Sequence, residues 1–224
     1  GIRALLQRRA WTRVRLRWCV VAFALPFAVA AAALALDAAT AGTVPRLPAP
    51  LPRDLSSLSG SSVGRWVGVP LLLLAGSFGE ELGWRGFLLP HLQRRWTALT
   101  ASLLLAGLWL VWHLPLFLVA DSAQSAIPIA WYLPYVVAQS VWHTSLFNGA
   151  KGSVLPSVLL HASVQAASVF LPLLPSVAGS TRAYEWLVLL TCVVALLVVR
   201  VGGPASLAGS APSVTSTSSP SQTA

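Results

Sequence analysis

Residues 70–89 read PLLLLAGSFGEELGWRGFLL, and two adjacent glutamates, Glu80 and Glu81, lie in the middle of this apolar stretch. A carboxylate at the centre of a membrane-spanning helix costs roughly 2.5–3.5 kcal/mol on insertion scales, so acidic residues there are rare and usually functional. The whole chain has only six acidic residues. Two of them side by side between apolar runs predict a buried polar site inside a hydrophobic protein.

The composition of the chain indicates the same class of protein. Hydrophobic residues make up 56% and charged residues 9%, whereas a typical soluble domain carries about 25% charged residues. The mean hydropathy is +0.73. The apolar runs lack the period-two alternation of barrel strands, which favours helices. The expected fold is therefore all-α: a polytopic bundle of transmembrane helices with about six spans.

The six apolar segments divide the chain into three regions. We expect a basic N-terminal segment at 1–17, a transmembrane domain at 18–201 and a disordered Ser/Thr/Pro tail at 202–224. The second span is long, and Pro70 and Gly76 allow a kink in it. The chain opens Gly-Ile-Arg, which is consistent with further helices upstream. The predicted spans, at 1.5 Å per residue, are 18–36, 63–94, 98–119, 127–147, 154–174 and 184–201.

The basic residues indicate a membrane topology and not a nucleic-acid partner. The net charge is +9, and a cluster of arginines precedes the first span. Basic residues beside a span generally fix topology and contact anionic headgroups. We therefore expect an integral protein of the plasma membrane, with the lipid bilayer around it and the N-terminus in the cytoplasm.

The residues around the glutamates suggest different roles for the two acids. Glu81 and Arg85 are spaced i,i+4 with the acid first, which favours an ion pair. Successive helical residues point about 100° apart, so Glu80 must face a different neighbour from Glu81. Glu80 is therefore the freer carboxylate.

Three further polar residues lie in other predicted spans. His113 and His161 have depths that tilts and kinks can bring into one layer with Glu80, and Gln165 follows His161 by one turn. A free carboxylate can act as general base on a water, while an imidazole and an amide can stabilise an oxyanion. Alternatively, Glu80, His113 and His161 can hold a divalent metal such as zinc, with an open position for water.

Three short motifs in the sequence resemble the motifs of a known family. Residues 80–85 (EELGWR) match EExxxR, residues 109–113 (WLVWH) resemble FxxxH, and residues 161–165 (HASVQ) resemble HxxxN. Over residues 77–166 the chain resembles the CAAX protease and bacteriocin-processing family (CPBP, Abi or Rce1-type) of intramembrane endopeptidases.

The resemblance implies an enzyme, often labelled a metalloprotease, that hydrolyses a peptide bond of a peptide or protein at the membrane. Prenylated CAAX substrates and bacteriocin-like peptides are equally open. It implies Glu80 as general base, His113 as its partner on the water, and His161 as an oxyanion or metal-site residue. The candidate catalytic set is Glu80, Glu81, His113, His161 and Gln165, with Arg85 and Trp109 in supporting roles.

Two positions depart from the family pattern. Trp109 replaces the usual Phe, and Gln165 replaces Asn or Asp, which makes the side chain one methylene longer. An oxyanion donor must lie about 2.7–3.1 Å from its target, so the longer side chain keeps open an inactive member that serves as a membrane scaffold or immunity protein. A proton-coupled transporter would also use buried acids, but the inverted repeats typical of transporters are not evident.

The remaining two histidines are interpreted as peripheral. His143, next to Trp142 near the cytoplasmic end of the fourth span, is expected at the membrane interface. His91 follows Pro90 beside basic residues and is expected in a cytoplasmic loop.

Overall fold

The computed structural model describes residues 14–41, 67–120 and 122–208, and all regular secondary structure in these ranges is helical. This confirms the predicted all-α fold. The elements are α1 (Leu16–Ala41), α2 (Val69–Glu81), a π-helical segment (Leu82–Leu88), α3 (Leu89–Leu92), α4 (Ala98–His113), a 3₁₀ turn (Leu114–Leu118), α5 (Ile129–Gly149), α6 (Leu155–Phe170), α7 (Pro175–Ala178) and α8 (Arg182–Ser206).

Four helical stretches of the described chain are long and apolar enough to cross a membrane. They contain α1, α4 with the 3₁₀ turn, α6 with α7, and α8. The chain is therefore an integral membrane protein built as a helical bundle. The other two predicted spans do form helices, at 69–92 and in α5. These two helices carry buried polar residues, including Glu81, Arg85 and His143, which lower their hydropathy.

Helix α5 lies at the centre of the bundle. It packs against α4, α6 and α8, while α1 packs against α6 and α8, and α2 packs against α6. Every residue from 138 to 144 on α5 is buried. Fully buried Ala22, Ala30 and Ala33 on α1 let neighbouring helices approach closely, as small residues do in membrane bundles. Large apolar side chains on the outer faces of α4 and α8, such as Leu108 and Leu196, are exposed, which suits a lipid-facing surface.

The long second helix changes its hydrogen-bond pattern directly after Glu81. Pro70 occupies the start of α2, where it needs no helical hydrogen bond, and Val67 and Gly68 directly before α2 are π-helical. Residues Leu82–Leu88 are π-helical as well. π-Helical turns inside α-helices are frequent at functional sites, and this one follows the paired glutamates.

The ends of the chain bear on two further predictions. The segment α8 extends past the predicted end of the last span to Ser206, but a kink with non-helical backbone at Gly203 (φ 69°, ψ 150°) interrupts the helix before its end. Three parts of the sequence that the predictions cover lie outside the described residues: most of the predicted basic N-terminal segment, residues 42–66 with the start of the second predicted span, and residues 209–224 of the predicted tail.

Candidate active site

Glu81, the last residue of α2, is the centre of a buried polar cluster. Its side chain is 0% exposed. Its Oε1 atom accepts a hydrogen bond from Nη1 of Arg85 at 2.8 Å and another from Nδ1 of His161 at 2.9 Å. Because a carboxylate only accepts, the Nδ1 atom of His161 carries the ring proton. The predicted ion pair between Glu81 and Arg85 is confirmed.

Arg85 brings its charge into this cluster from the π-helical segment. The side chain is 0% exposed, and its guanidinium lies 4.8 Å from the centre of the Trp109 ring. An arginine over an aromatic face gains a cation–π attraction, which is stronger away from water. Its Nε and Nη2 atoms have no hydrogen-bond partner among the described residues, so the pair with Glu81 and the contact with Trp109 hold this buried charge.

His143 on α5 belongs to the same cluster, and the interpretation of this residue as interfacial is wrong. Its side chain is 1% exposed, its Nε2 atom lies 3.8 Å from Oε1 of Glu81, and its ring lies 5.9 Å from that of His161. His143 is buried because α5 lies at the centre of the bundle, and the neighbouring Trp142 is buried for the same reason. A usable signal in the sequence was the i,i+4 pair of polar residues Gln139 and His143 on one helix face.

The Trp109 ring connects this cluster to His113. Ring centroids of His143 and His161 lie 5.5 and 5.6 Å from that of Trp109, and the centroid of His113 lies 5.9 Å from it. His113 donates its Nδ1 proton to the carbonyl of Trp109 at 2.8 Å. The structure therefore brings His113 against the same indole as the cluster, and His113 is not among the hydrogen-bond or ion-pair partners of Glu81 in the described residues.

Gln165 extends the cluster by one helical turn. Its Nε2 atom lies 3.1 Å from Nε2 of His161, which accepts the hydrogen bond. Ser77 on α2 donates to Oε1 of Gln165 at 3.5 Å. The predicted common face of His161 and Gln165 is confirmed.

Glu80 faces a different neighbourhood from Glu81, as the helical geometry predicted. It is partly exposed and accepts one hydrogen bond, from Nε1 of Trp84 at 3.4 Å. On the other side of this region, the Tyr132 ring lies 6.1 Å from the ring of His113.

Three residues are close enough together to hold a metal ion. One ligand atom each from Glu81, His143 and His161 lies within 4.8 Å of the other two. The set predicted from the sequence, Glu80 with His113 and His161, shares only His161 with this cluster. The packing of α2 on α6 turns Glu81, and not Glu80, towards His161, and α5 supplies the third residue.

The fold and this geometry define a helical intramembrane protein whose carboxylate, guanidinium and imidazoles converge in a buried core. Residues 62–167 match the family profile described as type II CAAX prenyl endopeptidase, Rce1-like. The sequence is 42% identical to the CAAX prenyl protease 2 of Methanococcus maripaludis over 73 residues. The aligned region is 33% of this chain and 23% of the relative's length. Over these matched residues the chain is therefore similar to the Rce1-like CAAX proteases, in agreement with the family that its motifs resemble.

Proposed function

We propose that this protein is an intramembrane endopeptidase that hydrolyses a peptide bond through a water activated by Glu80 and His113. The observation that carries the proposal is the unequal environment of the two glutamates. Glu81 is fully buried and binds two cationic or N–H donors, whereas Glu80 is partly exposed and accepts one long hydrogen bond. A general base needs free lone pairs and access to water, and these conditions favour Glu80.

His113 has the right tautomer to help Glu80. Its Nδ1 proton is donated to the Trp109 carbonyl, so the Nε2 atom of the neutral ring keeps a free electron pair. That atom can accept a hydrogen bond from the attacking water. We place this water beside Tyr132, whose ring lies 6.1 Å from that of His113.

Gln165 is the group that we assign to the developing oxyanion. Both nitrogens of His161 are engaged in the structure: Nδ1 donates to Glu81, and Nε2 accepts from Gln165. A primary amide has two N–H donors, so Gln165 retains one for the substrate oxygen. His161 then acts by orienting this amide, with Glu81 and Arg85 holding the imidazole in place.

A divalent metal ion, with zinc as the first candidate, fits the donor chemistry of the buried cluster. Imidazole nitrogens and a carboxylate oxygen, as offered by Glu81, His143 and His161, are ordinary zinc ligands. A bound ion would supply a Lewis acid beside the substrate carbonyl. The roles given to Glu80, His113 and Gln165 rest on these side chains alone.

The substrate class follows from the surroundings of the site. A centre inside an apolar bundle favours a peptide that reaches the bilayer through a lipid group or an apolar segment. The relative is named for CAAX prenyl proteins, so we propose prenylated CAAX-type peptides first and bacteriocin-like peptides second.

We further propose that the protein resides in the plasma membrane with the arginine-rich N-terminus in the cytoplasm.

The test is cleavage by the purified chain in detergent, using a peptide library that includes prenylated and unprenylated CAAX peptides. Glu80→Ala and His113→Ala should each lower the rate by about 10²–10⁴. His91→Ala is the matched control, because His91 also donates Nδ1 to a carbonyl four residues back but is exposed and outside the cluster. If the wild type cleaves no faster than Glu80→Ala and His113→Ala, the proposed peptidase activity is rejected. The protein would then be a membrane scaffold or an immunity protein.

A further inference from the structure

We propose that the end of the bundle at which α1 begins and α8 ends binds anionic phospholipid headgroups, through a basic surface assembled from four separate parts of the chain. This surface, the basic end, consists of exposed residues: Arg15, Arg17, Arg94, Arg95, Lys151 and Arg200. Lipid binding is measured without a peptide substrate, so the test is independent of peptidase activity.

Direct contacts place the four parts of the chain side by side. Trp18 at the start of α1 lies against Gly149 at the end of α5, because a Cβ atom on that glycine would come within 2.5 Å of the indole. Nε2 of Gln93, just after α3, donates to Oδ1 of Asn148 at 3.2 Å. Nδ2 of Asn148 in turn donates to the carbonyl of Ser206 at 2.7 Å. The start of α1 and the ends of α3, α5 and α8 therefore meet at one end of the bundle.

The cations flank these contacts in the sequence. Arg94 and Arg95 directly follow the residue that bonds to α5, and Lys151 lies in the turn directly after α5. The other three lie at the start of α1 or within the last two turns of the α8 segment: Arg15, Arg17 and Arg200. None of the six cations forms an ion pair with an acidic side chain among the described residues.

The opposite end of the bundle differs in charge. Its charged residues in the described ranges are Asp37, Arg182 and Glu185, and Oδ1 of Asp37 lies 3.3 Å from Nε of Arg182. One arginine against two acids gives this end a net charge of −1. The other acids of the described chain are the paired glutamates of α2. The basic end therefore has an excess of positive charge that the described protein does not neutralise.

Aromatic residues indicate the depth of the basic end in the membrane. Trp96 directly follows Arg95 and is 52% exposed. The guanidinium of Arg17 lies 5.0 Å from the centre of the Trp18 ring. Tryptophan side chains are enriched at the level of the lipid headgroups, so the cations beside these two rings lie where the phosphate groups of the lipids are.

The chemistry of the basic end favours a headgroup with a net negative charge. All of its cations except Lys151 are arginines, and a guanidinium can donate two hydrogen bonds to one phosphate. A zwitterionic headgroup has no net charge, whereas each basic residue near an anionic membrane surface strengthens binding by about fivefold. Basic residues also direct topology during insertion. Here, in addition, the folded protein retains anionic lipids at one end.

The experiment measures which lipids the folded protein retains. The purified full chain in neutral detergent is mixed with equal amounts of phosphatidylglycerol and phosphatidylcholine with the same acyl chains. The bound lipids are then quantified by mass spectrometry after gel filtration. The wild type should retain phosphatidylglycerol over phosphatidylcholine by about tenfold or more.

Two single substitutions locate the binding surface. Arg95→Gln should lower the ratio of the two lipids by about threefold or more, and removal of Arg94 as well should lower it further. The matched control is Arg182→Gln, which removes one cation with a side chain 49% exposed at the opposite end and should keep the wild-type ratio. An equal fall in Arg95→Gln and Arg182→Gln overturns the proposal, because the net charge and not the basic end would then select the lipid.

A second measurement needs no variant. Exposed charges are screened by salt, so raising the salt from about 0.1 M to about 1 M should bring the two lipids to nearly equal retention by the wild type. Equal retention already at low salt overturns the proposal, and so does a preference that high salt leaves unchanged. Release of phosphatidylglycerol by inorganic phosphate at constant ionic strength also overturns it, because the surface would then bind a soluble anion.

Discussion

His161 on α6 donates its Nδ1 proton to Glu81 at the end of α2 over 2.9 Å, and both side chains are 6% exposed or less. This bond joins residues 80 positions apart in sequence. It fixes the rotation of α2 against α6 at the point where the π-helical segment begins. The same rotation directs Glu80 away from the cluster, so the buried carboxylate of Glu81 is separated from the one that we propose as the general base.

This separation predicts opposite effects for two conservative substitutions. Glu81→Gln removes the counter-charge of fully buried Arg85, and breaking a buried ion pair costs about 3–5 kcal/mol in the free energy of unfolding. Glu80→Gln changes a partly exposed group and should cost about 0.5 kcal/mol or less, while lowering peptide cleavage by about 10²–10⁴. Thermal unfolding in detergent and cleavage rates measure the two effects. Equal loss of stability in both variants would contradict the assignment.

The pair of Glu81 and Arg85 should also show strong energetic coupling. Arg85→Met alone leaves the Glu81 charge buried with only His161 as a donor, at a cost of about 3–5 kcal/mol. Glu81→Leu combined with Arg85→Met removes both charges, and the double variant should be more stable than the sum of single losses by about 0.5–3 kcal/mol. Unfolding of the four proteins in one detergent completes the cycle. Additive losses would mean that Arg85 is held by Trp109 and not by Glu81.

The helices were predictable because an apolar run is a local property of the sequence. The prediction of 98–119 corresponds to α4 with its 3₁₀ turn, and that of 127–147 corresponds to α5. The π-helical segment Leu82–Leu88 was not predictable. Its hydrogen-bond pattern depends on how Glu81 and Arg85 are held by other helices, and neither Pro70 nor Gly76 indicates its position.

In the site, too, contacts within one helix were predictable and contacts between helices were not. The i,i+4 pairs, Glu81 with Arg85 and His161 with Gln165, were predicted because helical geometry alone places such residues together. The inclusion of His143 depends on the packing of α5 between α4, α6 and α8. The i,i+4 pair of Gln139 and His143 indicates a polar face on α5 but not which helices that face meets, so the third imidazole was missed.

Substitution of Gln165 tests the effect of a glutamine at a position where the family motif has Asn or Asp. Gln165→Asn shortens the side chain by one methylene, which withdraws the amide from His161 Nε2, now at 3.1 Å. We expect cleavage to fall by about 10²-fold, as for loss of one oxyanion donor, with little change in the binding of substrate. Ser77→Ala is the matched control, because it removes only the 3.5 Å bond to the same amide. Faster cleavage by Gln165→Asn would show that the shorter amide suits the site and that Gln165 weakens the enzyme.

The C-terminal turn of α8 gives a prediction about the fold that is independent of the site. A Cβ atom on Gly202 would lie 2.6 Å from the carbonyl carbon of Leu207, and backbone at that position has no free space into which to move. Gly202→Ala should therefore open the turn, expose buried Leu207 and weaken the 2.7 Å bond from Asn148 to the Ser206 carbonyl. The expected cost is about 1–3 kcal/mol in the free energy of unfolding.

The matched control is Gly107→Ala, because a Cβ atom at this helical position has no heavy atom within 4 Å. Alanine restricts the unfolded chain and favours the helix, so this variant should gain about 0.5–1 kcal/mol. Thermal unfolding in the same detergent should move the two melting temperatures in opposite directions. A shift of equal sign and size in both would show that the clash with Leu207 does not exist. Because neither glycine belongs to the cluster around Glu81, cleavage well below the melting temperature should stay at the wild-type rate in both variants.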